Sequence, residues 1–346
     1  MAQIDKQKMV LVTGGTGFVG IHCILQLLQK GYRVKTTIRS LQRKEDVIAM
    51  LKNGGITDLS QLTFVEADLT NDANWSEAAA GCDYVLHVAS PISLRIPKDE
   101  NDMIRPAVEG TLRVLRAARD AGVKRVVMTS NFGAVGYSHT DTTKVITEES
   151  WTDPNEPGLS AYNKSKVLAE RAAWAFMEKE GGNLELSVIN PVGIFGPSLG
   201  PELSSGFGLL KQVLDGSMKR VPNMTISLVD VRDVADLHLR AMTNPAAKGQ
   251  RFLAIAGETM TLPDIAQFLN HKLGDKLRHI STKRLPDWVV RIAALFNPTA
   301  KNLVPMLSRY RTASNEKAKT LLGWQPRTNE EALLATADSL MQFGHL

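Results

Sequence analysis

The chain has little of what marks a secreted, membrane-spanning or nucleic-acid-binding protein. Its 346 residues include only two cysteines, Cys23 and Cys82, which excludes a disulfide framework. Both are expected to be buried thiols, Cys23 in the first helix and Cys82 just before a strand. The start of the chain, Met1 to Lys8, is polar and lacks the apolar core of a signal peptide. No apolar run approaches the ~18 residues that a membrane span needs. Aromatic residues are 6% of the chain, and basic residues such as Lys272, Lys276, Lys283 and Arg284 are scattered with no aromatic-interleaved stripe. The net charge of +5 therefore reads as a solvated basic face with a mild pull on an anionic cofactor. These absences imply a soluble protein of a reducing compartment, expected in the cytoplasm, with neither nucleic acid nor membrane as a partner.

What is present is a full core, with hydrophobic residues at 43%, and a regular alternation. Apolar, β-branched runs occur at Met9–Thr13, Arg33–Ile38, Leu62–Glu66, Tyr84–Val88, Arg125–Thr129 and Leu184–Ile189. Between them lie stretches of helical period: Phe18–Lys30, Leu41–Leu51, Trp75–Ala80, Met103–Ala121 and Ala161–Glu180. Continuous hydrophobic strands separated by amphipathic helices predict an α/β fold, a Rossmann-type doubly wound parallel sheet. After Asn190 the rhythm breaks into Pro, Gly and short segments. The chain is expected to return to the sheet at Val229–Met242 and Gln250–Ala256, then to finish with helices at Leu262–Lys272, Pro286–Phe296 and Glu330–Gln342. Without an internal repeat or low-complexity linker, the second unit is expected to be woven into the first. A cofactor-binding domain spans 1–190 with returns near 229–256, and a smaller C-terminal substrate lobe takes 191–228 and 257–346. Pro286–Phe296 either covers the cleft or packs as core.

The turn Thr13-Gly14-Gly15-Thr16-Gly17-Phe18-Val19-Gly20 fits two glycine spacings. Gly15, Gly17 and Gly20 give one; Gly14, Gly17 and Gly20 give the other. In both, glycine lets the backbone approach a pyrophosphate, and the helix that begins near Phe18 presents free N–H groups to it. A strand before and a helix after supply the context the motif needs. Between Val34 and Arg43 there is no acidic residue to hold an NAD ribose hydroxyl; Arg39 stands there, with Arg43 and Lys44 one turn on. A guanidinium grips a 2′-phosphate bidentately where a carboxylate would repel it, so NADP(H) is favoured. Asp68, at the end of the third strand, either accepts from the adenine amino group or caps the following turn.

Tyr162 and Lys166 lie four residues apart, hence on one face of a helix. A neighbouring ammonium favours the phenolate and is expected to lower a pKa otherwise near ~10. Downstream of a dinucleotide turn, such a phenol fits a proton donor in nicotinamide-dependent carbonyl reduction.

The chain resembles the extended short-chain dehydrogenases/reductases, in the branch of dihydroflavonol reductases, cinnamoyl-CoA reductases and microbial aldehyde and ketone reductases. The resemblance rests on Val12 to Gly20, Thr37-Ile38-Arg39, Ala67-Asp68-Leu69, His87 to Pro91, Glu109-Gly110-Thr111, Val127 to Ser130, the Tyr162/Lys166 pair and Asn190 to Pro197. It implies that Tyr162 is the catalytic acid and that Lys166 binds the nicotinamide ribose. It implies that Ser130 holds the substrate oxygen, that Leu69, Val88, Ala89 and Ser90 line the cofactor, and that Pro191, Ile194 and Ser205 flank the nicotinamide end. The family usually shows two hydroxyl residues in a row where this chain has Ser130 and Asn131, so either the serine acts alone or the amide shares its role. Pro91, Ile92, Phe132, Phe195, Leu199, Leu203 and Phe207 are candidates for an apolar substrate pocket, suited to an aromatic or branched carbonyl. A nucleotide-sugar epimerase or dehydratase is the alternative. Against it, such enzymes tend to carry Asn-Val-Tyr-Gly-Pro where this chain reads Gly193-Ile194-Phe195-Gly196-Pro197. A non-catalytic NADP sensor is a further alternative, against which the retained Tyr162 and Lys166 argue. Either a monomer or a homodimer fits, the latter through helices Met103–Ala121 and Ala161–Glu180.

Overall fold

The computed structural model describes residues 8–346 apart from 92–96, 98, 140, 142, 278, 297–303, 305–306 and 308–310. Seven parallel strands form the central sheet in the order β11-β6-β5-β4-β1-β2-β3. In chain order these are β1 (Met9–Thr13), β2 (Arg33–Ile38), β3 (Leu62–Glu66), β4 (Tyr84–His87), β5 (Arg125–Thr129), β6 (Glu185–Pro191) and β11 (Arg251–Ala254). The main connecting helices are α1 (Phe18–Gln29), α2 (Lys44–Asn53), α3 (Trp75–Ala79), α4 (Asn101–Asp120) and α5 (Ala161–Lys179).

Strand periodicity sends successive side chains to opposite faces. Val10, Val12, Val34, Leu86 and Val127 pack with Ile21, Ile24 and Leu27 of α1 on one face. Leu11, Val65, Val85, Val126 and Met128 pack with Val114 and Leu115 of α4 and Phe176 of α5 on the other. Each fully buried Val or Leu contributes about 1.5–3 kcal/mol, so both faces must be covered and the sheet is doubly wound. After β3 the chain crosses back to place β4 beside β1. That reversal opens a crevice between the carboxyl ends of β1 and β4, where ligands bind in folds of this kind.

The remaining strands are short. Three two-stranded sheets pair β7 (Gly193–Phe195) with β10 (Leu228–Asp230), β8 (Val221–Pro222) with β13 (Arg284–Leu285), and β9 (Thr225–Ile226) with β12 (Met260–Thr261). Around them lie α6 (Gly208–Leu214), α8 (Leu262–Leu273), α9 (Asp287–Ala293) and the helices Glu316–Leu322 and Asn329–Gln342.

Several expectations are corrected here. Val229–Met242 is not a return to the central sheet: β10 pairs with β7, and Val231–Thr243 is a helix, α7, packed on α1. Asp230 caps it by accepting from Arg232 N at 2.8 Å, and Val231, Val234, His238 and Ala241 form its buried helical stripe. Gln250–Ala256 does return, as β11 beside β6. The stretch 286–296 is not core: Val290 is buried, but Trp288, Ile292, Leu295 and Phe296 are 65%, 52%, 75% and 85% exposed. Helix Glu316–Leu322 carries no strong sequence signal; it docks through Ala318 and Leu322, just ahead of the fully buried Trp324, whose Nε1 donates to Asp233 O at 3.0 Å. Cys23 and Cys82 are both free and buried. Among the described residues no helix is long and apolar enough to cross a membrane.

Candidate active site

The strand-to-helix turn after β1 is shaped by four glycines. Gly14 takes φ +77°, the left-handed region, and a Cβ there would press on Ala89 at 3.1 Å. A side chain at Gly15 would collide with Thr36 Oγ1, and one at Gly20 with the carbonyl oxygen of Gly14. Gly17 N donates to Gly14 O at 2.9 Å and caps α1 with no side-chain hydrogen bond and no acidic residue in the first turn. The helix therefore offers bare backbone N–H groups to an anion, in a cradle that a Cβ would fill. A dinucleotide pyrophosphate fits these residues. Phe18 and Val19 lie in the first turn of α1, where Phe18 meets Phe207 edge-on at 5.0 Å between centroids and Val19 packs on the core.

Thr13 joins the cradle to β4. Its Oγ1 accepts from Val88 N at 3.1 Å and Ala89 N at 3.0 Å, which leaves its proton for His87 Nδ1 at 3.0 Å. Val88, Ala89 and Ser90, all half-buried, thereby face the glycine turn. Burial, with the charge of Lys166 beside it, lowers His87 from 6.5 to about 3, so the imidazole is neutral.

At the other end of the crevice Arg39 follows β2 and is exposed. Among the described residues it makes no hydrogen bond or ion pair, although its charge reaches Asp68. Arg43 instead bonds Asp46 at 2.9 Å and Glu202 at 2.6 Å, and Lys44 Nζ lies 5.5 Å from the Phe64 ring centroid. Asp68 Oδ1 accepts from Thr70 N at 2.8 Å and Thr70 Oγ1 at 2.7 Å, which holds its carboxyl below the usual range. Of its two expected roles, turn capping is the one its contacts here display. Leu69 packs against Gly110 of α4.

The Tyr162/Lys166 pair comes from the first turns of α5, capped by Ser160 Oγ accepting from Asn163 N at 3.2 Å. Lys166 Nζ lies 5.9 Å from the centroid of the Tyr162 ring. The expected lowering of the phenol is not the balance struck here. Burial raises the Tyr162 pKa, a hydrogen bond from Asn131 opposes that rise, and Tyr137 adds to it. Lys166 itself drops from 10.5 to about 8, because desolvation outweighs the attraction of Glu170. The cause is the packing of the first turns of α5 against the turn Phe132–Ala134 that follows β5, which residue spacing does not reveal.

Sequence reading missed the carboxylate whose charge reaches this lysine. Glu170, fully buried, takes Arg251 Nε on Oε1 at 2.6 Å and Asn190 Nδ2 on Oε2 at 2.8 Å. Asn190 Nδ2 also donates to Asn131 O at 3.2 Å, and the Arg251 guanidinium stacks on Trp151 at 3.7 Å. The i+4 spacing from Lys166 to Glu170 was a usable signal; Arg251, on β11, had none. Ser130 is buried to 2% exposure, and its Oγ has no partner among the described residues.

Pro191 is buried at the end of β6, paired with Ala254, while Ile194 lies half-buried in β7 and Ser205 opens the tight turn Ser205–Phe207 beside it. Among the pocket candidates, Phe195 and Phe207 belong to the core of the C-terminal lobe, stacked at 6.3 Å between centroids. Phe132 and Leu199 are half-buried and Leu203 is 38% exposed, Pro91 is half-buried, and Ile92 lies outside the described residues.

An edge of this kind defines a class, the dinucleotide-binding enzymes of the doubly wound sheet. Residues 10–256 match the model of the NAD dependent epimerase/dehydratase family, and the chain belongs to that family, in its extended short-chain dehydrogenase/reductase branch. It is 35% identical over 281 residues to an anthocyanidin reductase of Vitis vinifera, covering 77% of this chain and 81% of the relative. It is 34% identical over 348 residues to cinnamoyl-CoA reductase 1 of Petunia hybrida, covering 98% and 94%. Its fold matches yeast methylglyoxal/isovaleraldehyde reductase Gre2 complexed with NADPH at a TM-score of 0.80, with 27% identity over 97% of this chain and 99% of that one.

Proposed function

We propose that this protein is an NADPH-dependent carbonyl reductase acting on a largely apolar or aromatic aldehyde or ketone, with Tyr162 as proton donor. The observation that carries the reading is the position of Tyr162 and Lys166 on one face of α5, with Asn131 bonded to the phenol and His87 beside the ammonium. Its relatives named reductases and a neighbour that is an NADPH complex support it.

When bound, the nicotinamide supplies hydride to the carbonyl carbon. The chain does the rest. The glycine turn and the start of α1 hold the pyrophosphate, and Arg39 takes the 2′-phosphate with no carboxylate nearby on β2 to repel it. Tyr162, kept protonated by burial, gives its proton to the oxygen as charge develops. Lys166, with a pKa of about 8, is still cationic near neutrality and stabilises the phenolate left behind. A donor at the end of β5 shares the oxyanion. Residues 191–228 and 257–346 form the substrate wall, to which Leu199 and Leu203 bring apolar surface.

The test is NADPH oxidation against a panel of aromatic, aliphatic and α-keto carbonyls, repeated with NADH. Tyr162→Phe is expected to keep NADPH binding and lose on the order of 10²–10⁴ in turnover. Arg39→Ala is expected to erode the preference for NADPH over NADH. Unchanged turnover in Tyr162→Phe would overturn the reading.

A further inference from the structure

We propose that the carboxamide of Asn131, rather than the hydroxyl of Ser130, is the second donor to the substrate oxygen; this rests on the carbonyl-reductase reading above.

The two side chains leave the end of β5 differently. Ser130 continues the sheet, its N donating to Ile189 O at 2.8 Å, and its parity matches Met128, which enters the core beneath α4 and α5. Its Oγ is enclosed and unpartnered among the described residues. Asn131 is the last extended residue, at φ −158° and ψ 171°, before the tight turn Phe132–Ala134. It is half-buried, at the rim, and its amide oxygen lies beside Gly133 together with that of Asn163, the residue after Tyr162 in the first turn of α5. A donor so placed stands next to the residue that exchanges a proton with substrate, and its pull on the phenol opposes the rise that burial causes there.

The amide is also oriented. Its Oδ1 is buried with no partner among the described residues, on the side of Gly133. A Cβ at Gly133 would stand 2.9 Å from that oxygen and collide with Asn163 Oδ1, so only glycine leaves this room. Unlike the enclosed Ser130 Oγ, the amide has an opposite end, Nδ2, which is not left both enclosed and unpartnered among the described residues. That opposite end is an NH₂ with two donors, one for the phenol oxygen and one for a second oxygen beside it. The Asn131 backbone is pinned through its carbonyl, which accepts from Asn190 Nδ2 at 3.2 Å and Ala134 N at 3.1 Å. Glu170, held by Arg251, thus braces the Asn131 backbone through Asn190.

The chemistry differs from that of a hydroxyl. As a C–H bond forms at the carbonyl carbon, the C=O π pair moves to oxygen, and the Tyr162 proton follows it. Asn131 keeps both of its protons throughout, so protonation falls on Tyr162 alone. Its contact with the phenol also opposes the upward push of burial on that group.

The experiment compares Asn131→Ala, Asn131→Ser, Asn131→Asp, Ser130→Ala and Tyr162→Phe in the full chain, with NADPH and benzaldehyde as probes. The phenol of Tyr162 is followed by phenolate absorbance, taking the difference from Tyr162→Phe. Asn131→Ala is expected to lose about 10²–10³ in kcat, the range for one oxyanion donor, with NADPH affinity retained. Its Tyr162 titration should move to higher pH. Asn131→Ser, which restores a donor, should recover much of the rate; Asn131→Asp, ionised and acceptor-only, should not. Ser130→Ala should lose less than Asn131→Ala and leave the titration in place. The opposite ranking of the two alanine variants would overturn the proposal. If Asn131→Ala does not fold, equal rates in the serine and aspartate variants would overturn it. If Tyr162→Phe matches wild type, the reductase reading has failed instead, and an unmoved titration in the Asn131 variants would then overturn the Asn131 contact separately.

Discussion

Helix α5 buries charge, whereas α9 leaves apolar surface in water. On α5, Lys166 and Glu170 are 5% and 0% exposed, while on α9 Val290 alone is buried and Trp288 and Ile292 face solvent. Composition does not explain the inversion. The α5 charges are matched by groups distant in sequence: Arg251 on β11, Asn190 on β6 and the neutral His87 on β4. Each of those strands ends at the crevice edge, so the cost of desolvating the charges is offset by partners that also fix the reacting groups. Helix α9 hangs from β13, in a two-stranded sheet outside the central one. A helix's part in the chemistry follows from which sheet edge it meets, not from how well its residues obey the inside-outside rule.

The sharpest break of this comparison is Glu170→Ala. It leaves Arg251 as a buried, unpaired cation and should cost about 3–5 kcal/mol in unfolding free energy, measured by urea denaturation. The double variant Glu170→Leu/Arg251→Met should recover most of that loss; an equal loss in the double variant would mean the pair is not what holds α5. Acid extends the comparison to other buried groups. His22 and His238 are lowered from 6.5 to about 4 by burial, and His87 to about 3. These folded-state values lie below the unfolded one, so protons bind the unfolded chain first. The stability from the neutral rings is complete above about pH 6.5 and shrinks as pH falls toward about 4, by about 2 kcal/mol per histidine at about pH 5. A flat unfolding free energy between about pH 7 and pH 5 would contradict it. On α9 the effects are smaller. Val290→Ala should cost about 1–2 kcal/mol by thermal or urea unfolding, from its lost packing. Trp288→Lys, at an exposed site, should stay within about 0.5 kcal/mol; a larger loss would show that the exposed face is covered in solution.

Legibility followed the range of the interaction. The strands from Met9 to Thr129 and the glycine turn were readable because alternation, helical period and a tight turn are local signals. An NADP(H) preference was expected from Arg39 for the same reason, and a structural neighbour, yeast Gre2, is an NADPH complex. Val231–Thr243 was misplaced because Val229, Val231 and Val234 read as strand, until the Asp230 cap and the docking face on α1 are taken together. Phe195 and Phe207 stood as pocket candidates, with core an equal alternative, because apolar side chains near a motif do not reveal which way they point. The Tyr162 pKa was expected to fall because spacing registers the nearby ammonium but not the burial that raises it.

The order of elements, the phosphate cradle, the class of cofactor and the Tyr162/Lys166 pair were determined by the sequence itself, since each depends on residues within a turn or two of one another. Tertiary structure alone decided that Glu170 is held by Arg251, 81 residues away, that Ser130 is shut in while Asn131 meets the phenol, and that α9 stays uncovered among the described residues. Desolvation and long-range pairing depend on what packs around a group, and that is settled only when strands far apart in the chain come together at one edge.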